Sequence, residues 1–161
     1  MLDEGVSSIV FSSTCATYNL LKLDRQLFMY DQTAKYMDHY ERALYNHILA
    51  SVAEDNPGNT YHVPLNPGAQ KRFGNADMNG FTCCNGTALE SNTKLQDTIY
   101  FRSADNKALY VNLFVPSTLN WRERKVVVLS EWVHGHGEML RLTHKALSEA
   151  DAVITYNGAS F

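Results

Sequence analysis

The stretch Thr14-Cys15-Ala16-Thr17-Tyr18-Asn19-Leu20-Leu21-Lys22-Leu23-Asp24-Arg25-Gln26-Leu27-Phe28-Met29-Tyr30 decides how the chain begins to fold. Leu20, Leu23, Leu27 and Phe28 recur at helical spacing, and Ser13 or Thr14 stands where a cap is needed. A helix is therefore predicted over Thr14 to Tyr30. A second is predicted over Thr33 to Val52, where Met37, Tyr40, Leu44, Ile48 and Val52 make one apolar stripe widened by Tyr45 and Leu49. Only a short polar turn separates the two, which predicts an antiparallel pair.

Beyond the helices the chain is punctuated. Pro57-Gly58, Pro64, Pro67-Gly68, Gly74 and Gly80 mark Glu54 to Gly80 as loop, with a short extended piece at Tyr61-His62-Val63. Thr87 to Gln96 reads as a short helix. Thr98 to Phe101 and Ala108 to Val115 read as strands about the turn-forming Asp105-Asn106-Lys107, and Arg124 to Leu129 as another. Gly137 to Ala150 has a helical pattern, and Val153 to Tyr156 is strand-like. The class expected is α+β.

With 161 residues, 45% apolar and 19% charged, the chain is long enough to bury a sizeable core. Its net charge of -3 offers no footprint for nucleic acid or for a membrane surface. No apolar run approaches the roughly 20 residues of a membrane span. The start, Met1-Leu2-Asp3-Glu4-Gly5, lacks the basic and apolar pattern of a leader, and the compartment stays open.

The cysteines are Cys15 and the adjacent pair Cys83-Cys84. Adjacent cysteines rarely bridge each other, because the peptide between them strains to reach disulfide geometry. Both can instead face one metal, or one can be a thiolate nucleophile while the other holds the ion. Buried, inert thiols are the plain alternative.

Several longer motifs resemble a known family. Thr14-Cys15-Ala16-Thr17-Tyr18-Asn19-Leu20-Leu21-Lys22-Leu23 and Tyr40-Glu41-Arg42-Ala43-Leu44-Tyr45-Asn46-His47-Ile48-Leu49-Ala50-Ser51 resemble signature helices of the β-L-arabinofuranosidases, glycoside hydrolase family 127. Tyr61-His62-Val63-Pro64-Leu65-Asn66-Pro67-Gly68, Phe81-Thr82-Cys83-Cys84-Asn85-Gly86-Thr87 and Leu109-Tyr110-Val111-Asn112-Leu113-Phe114-Val115-Pro116-Ser117 follow in that family's order. The likeness covers roughly Phe11 to Val128.

The resemblance implies the last helices of an (α/α) barrel of six-hairpin type, then the opening strands of a β-sandwich and a short helix-strand tail. Residues 1–97 would be barrel with the cysteine segment and 98–129 the start of the sandwich, while the origin of the tail at 130–161 stays open. It implies a zinc ion on Cys15, Cys83 and Cys84, with Cys83 attacking the sugar of a β-linked L-arabinofuranoside in a retaining, two-step hydrolysis. His47 and Glu90 are candidates to line the substrate site. Two departures accompany it. Ser13 stands where the family carries a zinc glutamate, and the family's acid/base glutamate lies upstream of residue 1. The expectation is thus a fragment with impaired turnover. It is also expected to self-associate through uncovered apolar faces, at Met37-Leu44-Ile48 and at Val111 to Val115.

Two alternatives belong to other classes. One is a catalytically silent zinc-binding or interaction module, in which the sulfurs are structural. The other is a truncated nuclease at the tail. Ala150 to Phe161 is similar to the Asn-x-x-x-Phe-Asp motif of proofreading-type exonucleases, with Asp151 and Glu149 as the nearby acids. Asn85-Gly86-Thr87 also fits a glycosylation sequon.

Overall fold

Strand β1 (Phe11–Ser13) runs directly into helix α1 (Thr14–Asp31) in the computed structural model, which describes residues 11–74, 80–94, 96–129 and 131–149. Ser13 makes the change of conformation. Its backbone is extended, and its Oγ accepts the Cys15 N–H at 3.3 Å, so it caps the helix it precedes. At the far end Gln32 takes a left-handed φ of 54°, and its N–H reaches back to the Phe28 carbonyl.

Thr33 then opens helix α2 (Ala34–Ala43). The helical path continues through a π turn at Leu44–Ile48 and a 3-10 turn at Leu49–Ser51. Asp24 meets His39 and Thr17 meets His47, so partners descend on α1 as they ascend on the second helix. The pair is antiparallel, as the short turn predicts. Met37, Tyr40, Leu44 and Ile48 are buried along one stripe, together with Leu21 and Phe28 from α1. Each such side chain contributes about 1.5–3 kcal/mol through burial.

The predicted face of α1 needs correction. Leu20 and Leu23 are 49% and 51% exposed, whereas Thr14, Thr17, Tyr18, Leu21, Asp24 and Phe28 are buried. The buried row includes polar side chains that find partners across the pair, as Thr17 does on His47 and Asp24 on His39. Of the four predicted residues Phe28 is buried and Leu27 half-buried, so hydrophobicity alone misplaced Leu20 and Leu23. The face expected to be uncovered at Met37-Leu44-Ile48 needs the same correction, because α1 closes it off. From Val111 to Val115 the outcome is mixed, with Leu113 fully buried and Phe114 40% exposed.

Strand β2 (His62–Pro64) pairs antiparallel with β1, and Ser13 stands opposite His62. Helix α3 spans Cys83–Thr93, so it starts before the predicted Thr87. Thr82 and Asn85 close a capping box that draws the cysteine pair into the first turn. Thr98 and Ile99 belong to a short helix, α4 (Gln96–Ile99), and not to a strand. The Asp97 N–H continues the turn by bonding the Lys94 carbonyl.

Strands β3 (Tyr100–Arg102) and β4 (Leu109–Val111) form an antiparallel hairpin closed at Ser103 and Ala108, with Asn106 at a φ of 58°. Phe28 meets Phe101 and Tyr110 edge-on at 5.1 and 5.5 Å, which packs this hairpin on α1. All of this lies in one compact unit, Met1–Leu113.

The second unit, Phe114–Phe161, holds the antiparallel hairpin of β5 (Ser117–Trp121) and β6 (Arg124–Val128), then helices α5 (Glu131–His134) and α6 (His136–Glu149). Strand β5 was not expected, although its residues alternate in burial. The strand-like Val153 to Tyr156 and the nuclease-like Ala150 to Phe161 lie outside the described residues. The class is α+β, a mixture of helices with small two-stranded sheets.

Candidate metal centre

Two helix starts converge at the cysteines. Cys15 is the second residue of α1, and Cys83 and Cys84 are the first two of α3. The Cys15 and Cys84 sulfurs lie 3.6 Å apart, and all three Sγ atoms fall within 4.8 Å of one another. Cys84 is buried, Cys15 half-buried and Cys83 exposed. All three are free thiols.

Oxygen atoms ring the sulfurs. Ser13 Oγ stands 3.6 Å from Cys84 Sγ, and Thr87 Oγ1 3.8 Å from Cys15 Sγ. Tyr61 touches both members of the pair. Its hydroxyl accepts from Cys83 and its carbonyl from Cys84, each at 3.6 Å. Burial and then contact with Cys83 push the Cys15 thiol up to about 11. Burial also acts upward on Cys84, but the hydrogen bonds of Thr14, Ser13 and Cys15 outweigh it and hold that thiol below its usual value. The Tyr61 hydroxyl is raised, chiefly by its hydrogen bond with Cys83.

The three predicted ligands, Cys15, Cys83 and Cys84, are thus brought together. The two predicted substrate residues are not members of that cluster. His47 lies in the π turn, where its Nδ1 is 2.6 Å from Oγ1 of the buried Thr17. Glu90 lies on α3 and is paired with Lys94, whose ammonium holds the carboxyl below the usual carboxylate range.

The catalytic-domain model of the β-L-arabinofuranosidases of family GH127 matches residues 6–97. The chain belongs to this family. Among curated proteins nothing matches it.

The family implies zinc, and the donor set fits that ion in part. Thiolates about 2.3 Å from a tetrahedral zinc stand roughly 3.8 Å apart, close to the 3.6 Å between Cys15 and Cys84. Three thiolates around a divalent cation leave one negative charge, which the positive ends of α1 and α3 favour. The fourth vertex is not supplied in the same way. Ser13 spends its Oγ on capping α1, and no carboxylate joins the cluster among the described residues.

Reading the sequence places Tyr61 in an extended piece but misses its contacts with Cys83 and Cys84, and it misses the capping role of Asn85. The spacing of Thr82 and Asn85 carries the signal, because a Thr followed three places later by a side-chain acceptor is how a capping box is written. The sequon reading meets an obstacle. Asn85 Nδ2, the nitrogen a glycan would take, donates to Asn59 Oδ1 at 2.9 Å.

Proposed function

We propose that this chain carries the nucleophile and the sulfur ligands of a retaining glycoside hydrolase acting on β-linked L-arabinofuranosides. The observation that supports this most is the graded exposure of three convergent thiols, with Cys83 open to solvent beside two more sheltered sulfurs. Cys15, Cys83 and Cys84 would hold zinc, which when bound supplies a positive charge that keeps sulfur deprotonated at neutral pH. In this reading residues 1–97 belong to an (α/α) barrel, of which the α1–α2 pair is a hairpin. Residues 98–129 open a β-sandwich, and 130–161 follow as a tail.

Cys83 Sγ attacks the anomeric carbon. A carbon–sulfur bond forms as the glycosidic carbon–oxygen bond breaks, and the departing oxygen takes a proton from water or leaves as a phenolate. Water then forms a carbon–oxygen bond from the opposite face as the carbon–sulfur bond breaks, and its proton passes to solvent. Cys83 leaves as thiolate, and the two inversions give retention. His47 and Glu90 are proposed to contact the sugar. Among the described residues the cluster holds no carboxylate, so none of its members can act as the acid. Turnover is therefore expected to be slow and to favour aryl glycosides, whose phenolate departs without help.

The test is an aryl β-L-arabinofuranoside with mass spectrometry of the quenched chain. A pentosyl adduct on the Cys83 peptide, lost in Cys83→Ser, is the expected result. Equal cleavage by Cys83→Ser would sink the proposal. The silent zinc module is favoured by one observation, the use of Ser13 as a cap instead of a ligand. It predicts about one zinc per chain and no adduct.

A further inference from the structure

We infer that Asn59 is a positioning residue for the cysteine pair and acts through Asn85. The inference rests on the metal-centre reading above and adds to it a residue outside the cluster.

Asn59 is 5% exposed and is fixed by its own backbone, which exchanges hydrogen bonds of 3.0 and 2.9 Å with Gly74. Its side-chain Oδ1 accepts from Asn85 Nδ2 at 2.9 Å. The other end of the Asn85 amide is turned on its own helix. Asn85 Oδ1 accepts from the Thr82 N–H at 2.8 Å and from the Thr82 hydroxyl at 2.7 Å. One amide thus closes the first turn of α3 and ties that turn to a neighbouring segment.

The same segment carries Tyr61, which receives the sulfur hydrogen bonds of Cys83 and Cys84. Thiols are weak donors. Those two contacts cannot by themselves fix how α3 is rotated about its axis, and that rotation decides where Cys83 and Cys84 place their sulfurs relative to Cys15. The amide contact is the stronger restraint. Asn59 also carries a cost. Its Nδ2 is buried with no hydrogen-bond partner among the described residues, so a polar side chain is kept where an apolar one would leave no unpaired donor. Retaining the amide there is explained if its oxygen aims the cysteine turn.

The test uses the reduced full chain with Asn59→Leu, which removes the acceptor and leaves every cysteine and the Thr82 cap in place. Asn59→Asp keeps an acceptor oxygen and is the conservative rescue. Asn59→Ser, polar but too short to reach Asn85, stands in if the leucine variant fails to fold by circular dichroism. Cobalt(II) is titrated as the metal probe, read by its thiolate charge-transfer and d–d absorption. In parallel the metal-free chains are treated with dibromobimane, which fluoresces strongly only after bridging two nearby thiols.

A folded Asn59→Leu or Asn59→Ser chain is expected to bind cobalt about tenfold or more weakly, with altered d–d bands, and to bridge less. Asn59→Asp is expected to recover both. Unchanged affinity, bands and bridging in the folded variant would overturn the inference. If the parent bridges its thiols but takes up no cobalt, the metal-centre reading falls. The bridging comparison then decides on Asn59 alone, reduced bridging supporting it and equal bridging overturning it. A parent that neither binds nor bridges overturns both.

Discussion

Cys83 and Cys84 are chain neighbours with opposite surroundings, one exposed at the start of α3 and the other fully buried. Alkylation of the metal-free chain should therefore strike Cys83 first and Cys84 last, as peptide mapping after a brief iodoacetamide pulse would show. Cys15 has its own pH signature. Its thiol is raised from 9.0 to about 11, so at any pH between those values less of it is thiolate than in an ordinary cysteine. Its alkylation should keep accelerating up to about pH 11, where a free thiol levels off near 9.0. A plateau near 9 would show that burial does not shelter it. Ser13 is the other telling residue. Ser13→Ala removes the α1 cap and should cost about 1 kcal/mol of stability. Ser13→Glu puts a carboxylate beside Cys84, and zinc affinity measured by competition should rise about tenfold, roughly 1.4 kcal/mol.

Among the elements, the π turn at Leu44–Ile48 decides most. It keeps Leu44 and Ile48 in the stripe with Tyr40 while bringing His47 onto Thr17. Ile48 is completely buried, so Ile48→Ala should cost about 2–5 kcal/mol in a denaturant melt, with the slope unchanged. Much here was legible in advance. The 3.6-residue rhythm of Met37, Tyr40, Leu44 and Ile48 gave the second helix, and the turn residues about Asn106 gave the β3–β4 hairpin. What stayed hidden depended on partners. Leu20 and Leu23 look like core until Thr17 and Asp24 take their places by pairing across the hairpin. The start of α3 was hidden because Asn85 and Gly86 disfavour a helix interior, while at N3 and the turn after it they sit where capping rewards the asparagine. Of the candidate site, the cysteines were legible as a type. That Tyr61 would touch two of them depends on the β1–β2 pairing, and no local pattern encodes that.

For the whole molecule, family membership covers residues 6–97, which lie inside the unit Met1–Leu113. Every donor of the candidate centre lies there too. No helix among the described residues is long and apolar enough to cross a membrane. If the cluster takes up zinc, that unit should be the part that responds. At about a hundredfold excess over its dissociation constant the ion adds about 2.7 kcal/mol, or about 10 °C in a thermal melt of a domain this size. A chelator should reverse the shift, and Cys15→Ser or Cys84→Ser should abolish it. An unchanged melting temperature in saturating zinc would show that the thiols do not grip the ion.

The separation |i−j| of 69 between Cys15 and Cys84 gives that response a further meaning. An ion held by both sulfurs closes a ring through most of the first unit. Constraining an unfolded chain by a ring of that length is worth about 4 kcal/mol for a covalent bridge. A coordinated ion supplies a version of the same bond that can be made and broken at equilibrium. The lifetime of this protein would then follow the availability of metal around it, with the starved chain the first to meet a protease.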